Sequence, residues 1–177
     1  MKFVVPTRYR GVEYRSRTEA RWAVFFDAVD AQATYEPESY NLDGIWYLPD
    51  FFVSSWNLFV EIKGPIPTPL ERDRCRKLCL LTKKPVFLIS DAPGAREGHL
   101  YLSGYEGDLF AAFALCRNCG GLALEYWAAD DTAWGSMLFG THENWDRCGD
   151  KIGGDRRFLA IERDLTERFG VYPKGAA

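Results

Sequence analysis

Between positions 16 and 30 the chain reads SRTEARWAVFFDAVD, with Trp22, Phe25, Phe26 and Val29 at helical spacing and polar residues between them. Ser16 stands three residues before Glu19, the spacing of a capping box, so a helix is predicted to start there. The pattern then changes. TYEPESYNL, IWYLPDFFV and LFVEIKG are rich in aromatic and β-branched residues and are separated by an Asp43-Gly44 turn signal and by SSWN. That composition predicts three strands in a meander. Pro65, Pro67 and Pro69 lead stiffly into LERDRCRKLCLLT, where Leu70, Cys75, Leu78 and Cys79 can form an apolar stripe opposite Arg72, Arg76 and Lys83. A second amphipathic helix follows from it. After Pro85, VFLIS is a short continuous apolar run of the kind a buried strand carries.

From about position 99 the periodicity weakens and glycine recurs. Ala112 to Cys116 and Leu122 to Tyr126 are expected to be the arms of a hairpin whose turn holds Cys116, Cys119, Gly120 and Gly121. DRRFLAIERDLTERFG places Phe158, Ile161, Leu165 and Phe169 on one face, with Asp155 as N-cap and Gly170 just past the end, and predicts a terminal helix. The fold class expected is α/β, with a mixed central sheet flanked by helices and a small C-terminal extension.

A length of 177 residues suits one ordinary domain with a small appendage. With 47% apolar and 27% charged residues, the composition is too hydrophobic for a disordered chain and too evenly charged for a membrane protein. No apolar run approaches the roughly 18 residues a spanning helix needs, and MKFVVPTRYRG has neither an apolar core nor a small-residue cleavage site. A cytoplasmic location is expected. The net charge of −3 argues against nonspecific coating of nucleic acid, yet the charge is uneven. Residues 1 to 17 carry Lys2, Arg8, Arg10, Arg15 and Arg17 against Glu13, and residues 72 to 84 carry six basic residues against Asp73. A polyanion would be met locally.

In LFVEIK, strand alternation puts Phe59, Glu61 and Lys63 on one face and Leu58, Val60 and Ile62 on the other. A meander brings Asp50, which follows Pro49 in an aromatic strand, alongside them. A carboxylate at such a place needs a partner to offset its desolvation, and a divalent cation is a good one. Two carboxylates and a backbone carbonyl are hard oxygen ligands suited to Mg²⁺, with waters completing the octahedron. A lysine two residues on can orient or deprotonate an attacking water and balance charge on phosphorus.

Pro49-Asp50, the eleven-residue step to Glu61, then Ile62 and Lys63 resemble the signature of the PD-(D/E)XK nuclease superfamily, which has a restriction-endonuclease-like fold. The resemblance covers about residues 14 to 90, and phage-type and transposon-type endonucleases and junction resolvases are its nearest flavour. It implies a metal-dependent DNA endonuclease using Mg²⁺ or Mn²⁺. It further implies Asp50 and Glu61 as metal ligands, the Ile62 carbonyl as a third, Lys63 as catalytic base or orienting group, and Glu19 as an added acid. Glu19 has the alternative role of a helix cap. Arg15, Arg17, Arg72, Arg76 and Lys77 are candidate phosphate contacts, although a charge-rich helix face is also simply solvated. DNA is the expected partner, with a homodimer or a larger DNA-processing assembly as the form that cuts two strands. The other class of function compatible with these residues is a non-catalytic nucleic-acid-binding or adaptor protein on a nuclease-derived fold.

Five cysteines are an odd count without a secretory signal, which disfavours a disulfide framework. Cys116-x-x-Cys119 followed by two glycines resembles half of a zinc knuckle, and His142 and Cys148 could supply the other half of a structural Zn²⁺ site. An unligated loop fits the same spacing. The resulting division is a nuclease core over 1–95, a zinc-ribbon-like insertion over 96–154, and a C-terminal helix over 155–177 packing on the core. Cys75 and Cys79 read as small core residues.

Overall fold

The computed structural model describes residues 5–64, 66–90, 97–115, 122–128 and 134–138. A short ribbon of β1 (Thr7–Tyr9) and β2 (Val12–Tyr14) precedes helix α1 (Arg17–Ala28). Ser16 caps this helix, its side chain accepting from the Glu19 amide. Strand β3 (Ala33–Tyr35) is followed by β4 (Tyr40–Leu42), β5 (Ile45–Tyr47), β6 (Phe51–Val53) and β7 (Leu58–Lys63). Helix α2 (Pro69–Thr82) leads to β8 (Val86–Ser90), β9 (Gly98–Tyr101), β10 (Leu109–Leu115), β11 (Leu122–Ala128) and β12 (Trp134–Leu138).

Among the described residues eight strands form one sheet in the order β12-β11-β10-β9-β8-β7-β6-β3, and of these only β7 and β8 run parallel. That parallel step needs a crossover, and α2 provides it. Among the described residues the fold is therefore mixed α/β, with a large mixed sheet, as expected, and α1 and α2 beside it. Leu58, Val60 and Ile62 of β7 face the α1 side, where Trp22, Phe25 and Phe26 pack. Phe59 faces the other side with Cys75, Leu78 and Cys79 of α2. Alternation along LFVEIK thus separates two cores, and both helices cover the strand that carries the candidate site.

The structure departs from the expected meander in its middle. β3, β6 and β7 are antiparallel neighbours, but β4 and β5 pair only with each other and leave the sheet as a ribbon. Its Asp43-Gly44 turn has positive φ at both residues, 54° and 88°, the geometry that closes two-residue hairpins. Leu70 also departs from expectation, being 55% exposed while Cys75, Leu78 and Cys79 are buried. At about 100° per residue, Leu70 lies about 140° around the helix from Cys75, off the buried stripe. The expected hairpin exists as β10 and β11 with longer arms, Leu109 pairing with Ala128. The boundary expected near residue 95 falls between β8 and β9, which pair directly, so β9 to β12 extend the same sheet. The terminal helix of residues 155–177 lies outside the described residues. Among the described residues, no helix is long and apolar enough to cross a membrane.

The two leucine positions on α2 separate burial from mere helicity. Leu78→Ala is expected to cost about 2–5 kcal/mol in urea denaturation, and Leu70→Ala less than about 0.5 kcal/mol.

Candidate active site

Asp50 lies just before β6, and Phe51 pairs with Val60, so the next step along the ladder sets Asp50 beside Glu61. The Asp50 amide donates to Glu61 Oε1 at 3.0 Å, and the Ile62 amide donates to Asp50 Oδ2 at 2.8 Å. Backbone groups therefore hold both carboxylates in place before any side chain joins. Lys63, on the same face of β7 as Glu61, closes the arrangement. Its Nζ lies 2.8 Å from Asp50 Oδ2 and 2.9 Å from Glu61 Oε2. Asp50 and Glu61 are 1% and 0% exposed, so this ammonium is the charge that makes their burial tolerable.

Two residues that sequence reasoning missed complete the contacts. Tyr47, at the end of the β4–β5 ribbon, donates its hydroxyl to Glu61 Oε2 at 2.6 Å. Glu36 Oε1 lies 2.9 Å from Arg15 Nε as an ion pair. Alternation along Ile45-Trp46-Tyr47 could not have singled out Tyr47, because Ile45 on the same strand face is 57% exposed and Trp46 on the other is 71% exposed.

Arg15 stands elsewhere than on a free phosphate-binding surface. Its Nη2 donates to Asp50 Oδ1 at 2.6 Å, and its Nε also reaches the Tyr35 hydroxyl at 3.3 Å and Glu19 Oε2 at 3.9 Å. Glu19 serves the helix start and this arginine together. Its Oε1 accepts from Ser16 Oγ at 2.9 Å, and its Oε2 accepts from the Tyr35 hydroxyl at 2.5 Å and from the Arg15 amide at 3.1 Å. Glu19 thus joins the cluster through Arg15.

The electrostatics follow from burial. Desolvation pushes the Glu61 carboxyl up to about 7, and Asp50 adds to the shift against the opposing pull of Lys63 and Tyr47. Burial works against the Lys63 ammonium, but Glu61 and then Asp50 outweigh it and hold Lys63 above its ordinary value. Burial raises Tyr47, and Glu61 raises it further. With Lys63 on both acids and Arg15 on Asp50, two cations face two carboxylates, and the upward shift of Glu61 is the mark of its burial.

The other basic candidates lie on or near α2 or α1. Arg17 is exposed. Arg72 is half-buried, and its Nε has no hydrogen-bond partner among the described residues. Arg76 lies over the Tyr101 ring at 5.9 Å and 4.0 Å from Asp108. Lys77 pairs with Asp43 at 3.0 Å and Asp73 at 2.9 Å. Of the five basic candidates, the described contacts bring only Arg15 to the acid pair. Cys116, Cys119, His142 and Cys148 lie outside the described residues. Cys75 and Cys79 are buried, and Cys79 Sγ donates to the Tyr101 carbonyl at 3.3 Å.

Asp50 and Glu61 bring two carboxylates, hard oxygen donors of the kind Mg²⁺ and Mn²⁺ take, side by side on one face of the sheet. Among the described residues no group of three or more His, Cys, Asp or Glu could hold a metal. Mg²⁺ commonly takes only one or two carboxylates and keeps several waters. Asp50, Glu61 and the Ile62 carbonyl would be its protein ligands. Lys63 Nζ, a single positive charge shared by both acids, already answers part of the same demand.

Tyr47→Phe leaves Glu61 Oε2 without its hydroxyl donor in a site water does not reach. It is expected to cost about 1–3 kcal/mol in urea denaturation, against less than about 0.5 kcal/mol for Tyr40→Phe, whose hydroxyl meets the surface residue Glu38.

No family model, no curated protein and no solved structure matches this chain, so what the site can do is read from its side chains.

Proposed function

We propose that the chain is a divalent-cation-dependent endonuclease that hydrolyses phosphodiester bonds in DNA, on a core of the restriction-endonuclease-like kind. One observation carries the reading: two buried carboxylates from adjacent segments of one sheet share the ammonium of Lys63 at 2.8 and 2.9 Å. A structural ion pair needs one acid and one base. Here two acids are buried against one lysine, with a tyrosine donor and an exposed arginine added at the margin.

Bound by Asp50, Glu61 and the Ile62 carbonyl, Mg²⁺ would supply Lewis-acid stabilisation of charge on the phosphate and a more acidic water. The chain's own groups do the positioning. Asp50 and Glu61 are aimed by the Ile62 and Asp50 amides, and Tyr47 fixes the second oxygen of Glu61. Lys63 has three N–H donors, of which two meet the carboxylates, and the third is available to orient a water or a phosphate oxygen. Its side chain is 18% exposed, so substrate would approach from the Lys63 and Arg15 side. The basic run over residues 72 to 84 supports a polyanionic substrate.

The test is a panel of supercoiled plasmid, linear duplex, single-stranded, flapped and four-way-junction DNA, each with Mg²⁺, Mn²⁺ or EDTA. Cleavage is expected only with a divalent ion. Asp50→Asn and Lys63→Arg, the latter keeping a cation on the two buried acids, are each expected to lower it by at least about 100-fold while circular dichroism shows the fold retained. Cleavage that persists in both variants, or in EDTA, overturns the proposal. Ion-independent DNA binding without cleavage of any substrate would point to the adaptor class.

A further inference from the structure

The two cations on Asp50 are held very differently. Lys63 projects from within β7, is 18% exposed, and is fixed by two carboxylates that are almost fully buried. Arg15 comes from the bend between β2 and α1, and its side chain is 55% exposed. It also has other partners: Glu36 at 2.9 Å, the Tyr35 hydroxyl at 3.3 Å and Glu19 at 3.9 Å. Turning away from Asp50 costs Arg15 one ion pair and leaves it others, whereas Lys63 has no comparable second home. Asp50 Oδ2 is already taken by the Ile62 amide and Lys63, so Oδ1, which Arg15 occupies at 2.6 Å, is the oxygen a further cation would compete for.

We infer that Arg15 is a displaceable counter-ion: it occupies Asp50 Oδ1 until a divalent cation takes that oxygen, and its freed guanidinium then turns outward to a backbone phosphate of the nucleic acid. The inference rests on the nuclease reading above. A guanidinium suits both tasks, because its planar fork of donors meets carboxylate and phosphate oxygens alike and stays charged at any working pH. A cation beside Asp50 also repels the guanidinium, so displacement and ion binding favour each other. By linkage, the ion then strengthens nucleic-acid binding and nucleic acid strengthens ion binding by the same factor. Arg15 is thus a positioning residue that couples the two binding events.

The experiment compares wild type with Arg15→Gln, after melting curves in EDTA establish that both are folded. Arg15→Met, which keeps the aliphatic stem and removes the charge, serves the same comparison should the glutamine variant not fold. Mn²⁺ titrated by electron paramagnetic resonance, without nucleic acid, is expected to bind the variant about five- to tenfold more tightly. Duplex DNA binding is then measured against salt concentration, once with Ca²⁺ and once with EDTA. With Ca²⁺ the variant's log–log slope is expected to be smaller by about one, and in EDTA the two slopes should agree. Equal Mn²⁺ affinities overturn the inference about Arg15 alone. Absence of Mn²⁺ binding to either protein overturns the divalent-ion reading, and the inference falls with it. Slopes that agree with Ca²⁺, or already differ in EDTA, overturn the transfer of Arg15 to phosphate.

Discussion

Two carboxylates that water cannot reach must be answered by positive charge, and in this chain Lys63 answers both. The geometry around it follows from that demand. Lys63 must share a face with Glu61, which the period of a strand provides two residues apart. Asp50 must stand at the adjacent ladder position, which the pairing of β6 with β7 provides. Of the remaining oxygens, Glu61 Oε1 is met by the Asp50 amide and Asp50 Oδ1 by Arg15, while the Ile62 amide and Tyr47 join Lys63 on the other two, so little of either carboxylate is left unanswered. The apolar neighbours, Phe59 on the same face and Val60 and Ile62 on the other, keep the local dielectric low and make each of these contacts count.

The cluster is assembled from parts of the chain that are distant in sequence. Arg15 precedes the first helix, Tyr47 ends the ribbon, Asp50 stands just before β6, and Glu61 and Lys63 lie at the end of β7. None of these can meet before the sheet has formed around β7, so the charge cluster is a product of tertiary pairing rather than of any local motif. The helices contribute from behind. α1 seals the face opposite the acids with Trp22, Phe25 and Phe26, and α2 covers the acid-bearing face with Cys75, Leu78 and Cys79.

Elements set by short-range periodicity were legible in the sequence. The first helix with its Ser16 cap, the second helix after the prolines, the buried run Val86–Ser90 and the two-faced strand Leu58–Lys63 all follow from spacing of 2 or 3.6 residues. The juxtaposition of Asp50 with Glu61 and Lys63 was legible too, because a carboxylate after Pro49 in an aromatic strand demands an explanation. The departure of β4 and β5 from the sheet was not, since a strand's partner is chosen by packing that no local pattern encodes. Arg15 was read for its charge alone. That it folds back on Asp50 and Glu36 depends on where β3 and β6 bring those acids. Leu70 was misplaced because apolar identity was counted before angular position.

The Tyr40–Tyr47 ribbon pairs only within itself, so the register of the eight strands places no constraint on its length. Residues added in balanced pairs about the Asp43-Gly44 corner would carry a finger past Leu42, which packs against α2, and would give up the Asp43–Lys77 pair while the base stays pinned through Tyr47. Such a finger could change what the protein touches, leaving the acids beneath it undisturbed.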